Sequence, residues 1–598
     1  MTDYRPPLRD MQFLLNDVFA VPELFASMPD TQEVSADLIS AILDEAGKIA
    51  AEQLAPVNQN GDREGCRFAD GEVTAPAGFK QAYEAFASGG WSGLTGNPEF
   101  GGQGMPKLLS AMIEEMQFAA NTSFTLYTVL TTGASLTLNS HGSQALKERY
   151  LPKLYSGQWS GTMCLTEAHA GTDLGMIKSR AEPTSDGSYS ITGSKIFITS
   201  GEHDLTENII HLVLAKLPDA PAGPRGISLF LVPKFLVDDS GEITATRNKV
   251  SCGSIEEKMG IHGSATCVMN FDGAEGYLVG AANGGLATMF TMMNYERLSM
   301  GVQGNGLAEA SYQTARDYAL ERLQGRAPAG ASRPELAADP LIVHPDVRRM
   351  LLTMRANIVA GRALSIFAAS QLDISRFHPD AAARAKADKL VALLIPVQKA
   401  YCSDRGFDAC VLAQQVLGGH GYVAEWGLEQ NIRDARIAQI YEGANGIQAL
   451  DLMGRKTVRS KGEYLQLLMA DIADWLAAHQ DDNKLQAAIE KFSSCRQHLA
   501  DCTEQVIGKA ENNAAEVGAA SYPYLELLGL TLYGYMWLRI MAACHEQINS
   551  EQGAADYHDG LLKTGEYFMA RLLPAASSLR EEIAAGADSL MAIRAEQF

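Results

Sequence analysis

The sequence lacks the features that mark several familiar classes of protein. Its 598 residues include nine cysteines, an odd number, and no two of them form a C-x-x-C pair. Closely spaced, paired cysteines are typical of disulfide scaffolds and of structural zinc sites. We therefore expect reduced, mostly buried thiols. The twelve histidines also show no spacing typical of metal ligands, so no metal site is expected.

Basic residues are scarce relative to acidic ones. The chain has 49 lysines and arginines against 71 aspartates and glutamates, which gives a net charge of −22 at pH 7. An excess of this size repels a polyphosphate backbone. Nucleic acid is therefore not an expected partner, although a small phosphorylated ligand would need only a few donors in one cleft.

Long apolar runs are also missing. The uncharged run Leu527–Leu538 has twelve residues, whereas a transmembrane helix needs about 20. Charged residues precede any sustained apolar stretch near residue 1, so no secretory signal is expected. We expect no transmembrane segment and a cytoplasmic location.

The spacing of apolar residues changes twice along the chain. Helical spacing of apolar residues gives way to short β-type runs separated by turn residues, such as Tyr189–Thr199, His211–Leu217 and Ile227–Pro233, and then returns. A nucleotide-binding α/β fold would instead alternate strands and helices throughout. We predict an α+β multidomain protein with an N-terminal helical domain (1–160), a middle β domain (161–285), a helical domain (286–456) and an extra C-terminal helical domain (457–598).

Glu442 lies in a distinctive sixteen-residue segment, Arg433–Gln448. It follows apolar residues and precedes a small, polar turn that contains glycine. Burial there would raise the pKa of its carboxyl toward neutrality, which suits a general base. An isolated glutamate is more simply a surface or capping residue, but the whole segment closely resembles the active-site segment of acyl-CoA dehydrogenases.

The resemblance implies a catalytic role for this segment. In that family the glutamate removes an α-proton from the acyl-CoA thioester while the β-hydride passes to FAD, so Glu442 would be the catalytic base. Its backbone N–H would also help to polarise the thioester carbonyl. By the same resemblance Gly443 and Arg297 would bind the substrate, and Asn445 would bind the cofactor.

Two segments of the predicted β domain resemble flavin-binding segments of the same family. Met163–Asp173 is similar to a T-E-P-x-x-G-S/T-D pattern, with Ala168 in place of the proline, and Gly193–Gly201 is similar to a G-x-K-x-[WF]-I-[TS]-N strand. Taken alone, they are an ordinary turn and an ordinary alternating strand. Thr172 would reach either the FAD pyrophosphate or the pantetheine of the substrate. The resemblance assigns FAD contacts to Leu165, Thr166, Thr172, Phe197, Ile198 and Thr199.

Two later segments, Glu321–Arg326 and Gln415–Tyr422, resemble the parts of the family that bind the FAD of a neighbouring subunit. This implies a homodimer or a dimer of dimers. Without the resemblance, their polar side chains would be read as a solvated helix face. The residues assigned to this role are Arg322, Gln324, Gln415, Gly418 and Gly419.

One further pattern points elsewhere. The segment Gly419–Ala424 fits the loose dinucleotide motif G-x-G-x-x-G/A. It follows a helical stretch and not a strand, so the context of a Rossmann turn is missing and NAD(P) binding is not expected.

The resemblance covers roughly residues 35–456 and implies FAD-dependent α,β-dehydrogenation of an acyl-CoA to the trans-2-enoyl-CoA. The reaction would be of the fatty acid β-oxidation type, with electrons passed to an electron-transferring flavoprotein. The segments outside this range resemble a longer bacterial subgroup that includes enzymes acting on 3-methylmercaptopropionyl-CoA in sulfur-compound breakdown, which is the alternative. An acyl-CoA oxidase and a non-catalytic flavin-binding scaffold are further alternatives. The C-terminal segment is expected to be helical and to support the dimer.

Overall fold

The computed structural model describes residues 4–549 and 555–598. Residues 1–3 belong to the predicted N-terminal helical domain and residues 550–554 to the predicted C-terminal one, and both segments lie outside the described residues.

Helices dominate the two ends of the chain, and strands occupy its middle. The first part contains α1 (Leu8–Phe13), α2 (Val21–Ala26), α3 (Ala36–Ile49), α4 (Asn58–Glu64), β1 (Arg67–Ala69), β2 (Glu72–Thr74), α5 (Phe79–Ser88), α6 (Lys107–His141) and α7 (Gln144–Tyr155). The middle contains β3 (Trp159–Cys164), β4 (Arg180–Pro183), β5 (Tyr189–Thr199), β6 (Asn208–Lys216), β7 (Ile227–Pro233), β8 (Phe235–Val237), β9 (Ile243–Arg247), β10 (Val250–Ile255) and β11 (Thr266–Val279). The last part contains α8 (Gly285–Glu321), α9 (Pro345–Phe377), α10 (Ala381–Leu417), α11 (Leu428–Arg436), α12 (Asn445–Asp451), α13 (Glu463–Ala478), α14 (Gln486–Ala510), α15 (Ala515–Asn549), α16 (Ala555–Tyr567), α17 (Ala575–Ala585) and α18 (Asp588–Met591).

The chain divides into two compact units. The sheet unit is Glu45–Ser299, and the helical unit combines Met1–Asp44 with Met300–Phe598. This order of helical, β and helical segments confirms the predicted fold class, whereas the bounds of the four predicted domains stay a prediction. Two of the predicted β-type runs coincide with β5 and β7, and the third is the strand β6, which begins three residues before the predicted start.

A short hairpin lies inside the region predicted to be the N-terminal helical domain. Its strands β1 and β2 pair antiparallel, and Asp70 and Gly71 at the turn both have positive φ. An Asp-Gly dipeptide favours this type of two-residue turn because glycine adopts the left-handed region at little cost. The dipeptide was therefore the local signal for the hairpin.

The main sheet has both faces buried. Among the described residues it has seven strands in the order β10-β11-β5-β4-β6-β3, with β7 paired to β11 and β6. Ile210, Leu212 and Leu214 of β6 point into one apolar cluster, which also contains residues of α6 and α7. Val213 and Ala215 of the same strand point into a second cluster on the opposite face. Alternation of this kind follows from the two-residue period of a strand, and it explains why β6 is nearly continuous in apolar residues.

Helices α8 and α10 approach each other closely in the helical unit. A Cβ atom on Gly301 would lie 2.1 Å from the carbonyl oxygen of Gln398, and one on Gly304 would lie 2.8 Å from that of Cys402. Gly406 of α10 faces Gly304 in the same way, with 2.4 Å between its ideal Cβ and the Gly304 oxygen. Because a side chain at these positions would collide with backbone, the glycines let the two helices pack at short range.

Two helices, α9 and α15, are long and apolar enough to cross a membrane by length and composition alone. Their most apolar 18-residue windows are 78% and 94% buried inside the protein. The twelve-residue apolar run noted in the sequence lies within α15, and its Tyr533 and Trp537 side chains are buried. Apolar helices of this kind are typical of protein cores.

A buried charge cluster ties α1 to three other helices. Asp10 of α1 accepts hydrogen bonds from Arg355 (2.8 Å) and Arg362 (3.1 Å) of α9 and from Tyr557 of α16 (2.7 Å). Arg362 also donates to Glu309 of α8 at 2.9 Å and is fully buried. Burial alone would raise the pKa of the Asp10 carboxyl, but the two guanidinium groups and the tyrosine hold it well below its usual range.

Replacing Asp10 by alanine would leave two guanidinium groups without their main counter-ion inside the protein. We expect Asp10→Ala to lower the free energy of unfolding by about 3–5 kcal/mol, measured as a shift in the urea midpoint by circular dichroism. The matched control is Asp559→Ala, which removes an aspartate paired with the exposed Lys563 on α16 and should change the midpoint little. Equal effects of the two substitutions would contradict this account of the cluster.

Candidate active site

The loop after β3 and the second half of β5 are joined by a buried ion pair in the sheet unit. Lys195 of β5 is fully buried, and its Nζ donates to Glu167 Oε1 at 2.9 Å and to the main-chain oxygen of Leu165 at 3.0 Å. The N–H of Ile196 donates to the main-chain oxygen of Thr166 at 2.9 Å. The predicted flavin residues Leu165 and Thr166 are therefore held against the strand that carries Phe197, Ile198 and Thr199.

The Glu167 carboxylate accepts hydrogen bonds from several donors. Besides Lys195, it accepts hydrogen bonds from the N–H of Lys178 (2.7 Å), the N–H of Ser179 (3.0 Å) and the hydroxyl of Ser179 (2.6 Å). Burial opposes ionisation, but the Lys195 charge and these donors outweigh it and lower the pKa of the Glu167 carboxyl to about 2. The turn after β3 is thus folded around a carboxylate that is charged at neutral pH.

Phe197 has an unusual backbone. Its φ is +59° although it is not a glycine, and its ring is 59% exposed. The register between β5 and β11 shifts at this point, where Lys195 pairs with Met269 and Ile198 with Cys267. A left-handed aromatic residue in a strand costs about 1–2 kcal/mol, and such strain is typical of functional sites. The bulge presents the aromatic ring outward.

The other predicted residues of the sheet unit differ in exposure. The side chains of Ile198 and Leu165 are buried in the two apolar clusters of the sheet, so only their main-chain atoms can meet a ligand there. Thr172 is exposed in the loop after β3, and Thr199 is half-buried at the end of β5. Arg297 is half-buried on α8. Of the residues predicted for the sheet unit, all except Thr172 and Arg297 lie in β5 or in the loop after β3 that is hydrogen-bonded to β5.

Glu442 lies in a left-handed turn of the helical unit. The turn follows α11 and a short 3-10 helix, and it precedes α12. Glu442 has φ of +56° and Gly443 has φ of +82°, so two consecutive residues are left-handed. Glu442 is half-buried. The raised pKa expected for the Glu442 carboxyl stays a prediction.

Two polar side chains donate to the carbonyl groups of this turn. Lys399 of α10 is fully buried, and its Nζ donates to the oxygen of Gly443 at 2.9 Å. Gln448 of α12 donates to the oxygens of Glu442 (3.1 Å) and Gly443 (3.2 Å). These donors satisfy backbone groups that no regular helix or strand satisfies.

Asn445 anchors the far side of the turn. Its Oδ1 accepts from Lys399 Nζ at 2.7 Å, and its Nδ2 donates to the oxygen of Ala400, to Ser403 Oγ and to Asp404 Oδ1 at 2.8–3.2 Å. The residue is 5% exposed. Asn445 was predicted to bind the cofactor, but its amide is engaged with α10, so a cofactor contact would compete with these partners.

The side preceding Glu442 is held as well. Tyr441 donates a hydrogen bond from its hydroxyl to Gln303 of α8, and Gln303 donates to the main-chain oxygen of Asp434 at 3.3 Å. Gln439 donates to Asp404 Oδ1 at 2.6 Å. Glu442 is therefore flanked on both sides by side chains anchored to long helices.

The residues predicted to bind a neighbouring subunit's cofactor lie at one end of the helical unit. Tyr318, one turn before Arg322, donates or accepts a 2.8 Å hydrogen bond with His420, which follows Gly419. This contact brings the ends of α8 and α10 together. The predicted side chains and glycines are exposed: Arg322, Gln324, Gln415, Gly418 and Gly419. The segment Gly418–Tyr422 is a 3-10 turn after α10, as expected for a sequence that is not a Rossmann turn.

Several residues that shape the two regions were not predicted. They are Glu167 and Lys195 in the sheet unit, and Gln303, Lys399, Asp404 and Gln439 in the helical unit. A lysine at an inward position of an alternating strand was the signal for Lys195. All nine cysteines are free, eight of them buried, and no cluster of potential metal ligands occurs among the residues that the structure describes.

Four family models match successive parts of the chain. They are described as acyl-CoA dehydrogenase, N-terminal domain (residues 38–158), middle domain (162–274) and C-terminal domain (283–456). A model described as acetyl-CoA dehydrogenase C-terminal like matches residues 468–594.

Known proteins resemble the chain over nearly its whole length. The 3-methylmercaptopropionyl-CoA dehydrogenase of Ruegeria pomeroyi is 40% identical over 98% of this chain and 99% of its own. The broad-specificity linear acyl-CoA dehydrogenase FadE5 of Mycobacterium tuberculosis is 31% identical over 98% of both chains. The structure of Caenorhabditis elegans ACDH-11 in complex with C11-CoA superposes with a TM-score of 0.73 at 18% identity, covering 93% of this chain and 91% of that one.

The ion pair in the sheet unit predicts a pH-dependent stability. Because the pKa of Glu167 lies near 2 in the folded protein and near 4.5 ordinarily, its stabilising contribution is complete above about pH 4.5 and is lost as the pH falls toward 2. Glu167→Gln should lower the free energy of unfolding by about 3 kcal/mol at pH 7. The difference in the free energy of unfolding between the wild type and Glu167→Gln should become smaller below pH 4.5, as measured by urea midpoints. Glu182→Gln, on the exposed edge of β4, is the control. A deficit that is constant from pH 7 to pH 3 would refute this assignment.

Proposed function

The chain belongs to the acyl-CoA dehydrogenase family, and we propose that Glu442 is the base that removes the α-proton of its acyl-CoA substrate. The protein is an FAD-dependent oxidoreductase of this family. The observation that carries the proposal is the turn at Glu442. Its left-handed backbone is held by donors on both sides, as expected for a strained residue at a functional site.

The proposed chemistry is proton abstraction coupled to hydride loss. Glu442 accepts the α-proton on its carboxylate, and the electron pair of the broken C–H bond forms the α,β double bond. When bound against the residues named below, FAD would supply the acceptor for the hydride that leaves the β-carbon. The N–H of Glu442 donates to the thioester carbonyl and stabilises the negative charge that develops there. Gly443 allows close approach of the substrate because it has no side chain, and Arg297 and Thr172 bind more distant parts of the acyl-CoA.

The cofactor is proposed to lie against the second half of β5 and the loop after β3 that is hydrogen-bonded to it. An exposed aromatic ring on a strained backbone, Phe197, suits a planar flavin, and the hydroxyls of Thr166 and Thr199 and the main chain of Leu165 and Ile198 suit its polar edge. These neighbours are fixed to one another by the buried Lys195 and Glu167 pair. The residues present therefore fit the flavin of FAD.

Arg322, Gln324, Gln415, Gly418 and Gly419 are proposed to bind the FAD of a second subunit. Their exposure at a common end of the helical unit supports this assignment, because a cationic and amide-rich surface can bind a diphosphate. It implies a homodimer or a dimer of dimers. We further propose that electrons pass to an electron-transferring flavoprotein and that the enzyme is cytoplasmic.

A linear acyl-CoA is the proposed substrate, as in the β-oxidation of fatty acids. A second candidate is 3-methylmercaptopropionyl-CoA, because the Ruegeria pomeroyi enzyme named for it is 40% identical over nearly the whole chain. Anaerobic titration with butyryl-CoA, octanoyl-CoA and 3-methylmercaptopropionyl-CoA distinguishes the two. The substrate is the one that reduces the flavin fastest at the lowest concentration.

Replacing Glu442 by glutamine removes the base but keeps the volume of the side chain. We expect Glu442→Gln to bind FAD and to perturb the flavin spectrum on adding acyl-CoA, with flavin reduction slowed by ~10²–10⁴-fold. Stopped-flow absorbance measures this rate. Glu425→Gln, at an exposed position of the same unit, should react like the wild type.

Three outcomes would each contradict a part of the proposal. Near wild-type reduction in Glu442→Gln would mean that another residue is the base. A wild-type protein that binds FAD but is not reduced by any acyl-CoA would favour a non-catalytic scaffold, and reduction followed by rapid reoxidation in air would favour an oxidase.

A further inference from the structure

The carboxylate of Asp404 joins three parts of the helical unit that are distant in sequence. Asp404 lies on α10 and is 6% exposed. Its Oδ1 accepts from Gln439 Nε2 at 2.6 Å and from Asn445 Nδ2 at 2.8 Å. Its Oδ2 accepts from the hydroxyl of Tyr522 on α15.

The two donors to Oδ1 bracket Glu442 symmetrically in sequence. Gln439 precedes Glu442 by three residues and Asn445 follows it by three. Both ends of the turn are therefore fastened to the same oxygen atom. We call Gln439, Asp404 and Asn445 the clasp. Closing the turn on one buried charge restricts the positions that Glu442 can occupy, because hydrogen bonds to an ionised acceptor are short and comparatively strong.

The other carboxylate oxygen of Asp404, Oδ2, accepts its hydrogen bond from a residue of the C-terminal segment. Tyr522 lies in the region matched by the separate C-terminal model, outside the part of the chain matched by the three preceding models. A second contact joins the same two helices. Arg405, the next residue of α10, lies 3.3 Å from Glu526, one turn after Tyr522 on α15. Two neighbouring positions of α10 are thus held by two neighbouring turns of α15.

We propose that Tyr522 and Asp404 are positioning residues for Glu442, and that through them the C-terminal segment helps to hold the base in its reactive place. This inference rests on the proposed function of Glu442. Tyr522 fixes the orientation of the Asp404 carboxylate, and Asp404 in turn fixes both ends of the turn. Neither residue is assigned a contact with substrate or FAD.

The first test removes the tyrosine hydroxyl. Tyr522→Phe should slow flavin reduction at saturating acyl-CoA by about 10- to 100-fold, because small misplacements of a catalytic group are costly. FAD content and the KM for acyl-CoA should change less than twofold. The matched control is Tyr524→Phe on the same helix, whose buried hydroxyl bonds Thr503 of α14 at 2.8 Å. It should keep the wild-type rate.

The second test changes the carboxylate. Asp404→Asn keeps the volume but replaces one acceptor oxygen by an N–H₂ group, so that either the two donors to Oδ1 or the Tyr522 donor to Oδ2 loses its acceptor. Its loss in rate should equal or exceed that of Tyr522→Phe, and the double variant should be no slower than Asp404→Asn alone. Asp408→Asn, one turn further along α10 and 55% exposed, is the control and should react normally. Additive losses in the double variant would overturn the proposed path through Asp404.

A third measurement does not depend on catalysis. Hydrogen–deuterium exchange of a peptide spanning residues 439–448 should be at least about fivefold faster in Tyr522→Phe than in the wild type or in Tyr524→Phe. Unchanged exchange and an unchanged reduction rate would overturn the inference. If Glu442→Gln proves fully active, the proposed base is wrong. Faster exchange in Tyr522→Phe would then still support the clasp as the device that holds this turn, and equal exchange would reject it.

Discussion

The carbonyl groups of the two consecutive left-handed residues Glu442 and Gly443 accept hydrogen bonds from side chains of neighbouring helices, and the anchorage of this turn depends on those donors. The donors come from outside the turn: Lys399 from α10 and Gln448 from α12. A buried lysine can be retained there because acceptors surround its ammonium group. The close packing of α8 and α10 through glycines also brings Gln303 within reach of Tyr441.

In the sheet unit, a buried ion pair holds the segments around another left-handed residue. Phe197 is left-handed in the middle of a bulge, and the pair of Glu167 and Lys195 fixes the segments on either side. Phe197 and Glu442 are two of the eight non-glycine residues with positive φ among the described residues. Each was assigned to the site from sequence, and each has a costly backbone that neighbouring polar groups impose. Strain therefore coincides with the proposed chemistry in both units.

Much of the fold could be predicted from the sequence, because the β-type runs and the helical stripes are local patterns. The family resemblance is confirmed, and with it the enzyme class and the cofactor. The clasp and its contact with Tyr522 could not be predicted, since Asp404 is 35 residues from Gln439 and 118 residues from Tyr522, and none of the three has a distinctive neighbourhood. The same limit applies to Asp10, whose partners lie more than 300 residues away. Contacts of this kind depend on tertiary packing and leave no periodic signal.

The position of Tyr522 late in the chain also affects how the enzyme folds during synthesis. A ribosome completes α10 and the turn at Glu442 well before it synthesises α15, so a nascent chain contains the proposed base without the last donor to Asp404. Domains generally fold from the N-terminus during synthesis. The hydrogen bond from Tyr522 to Asp404 can therefore form only after the C-terminal helices have left the ribosome. A chain that is cut short after the proposed base retains every residue assigned to the chemistry but lacks the group that completes its anchorage.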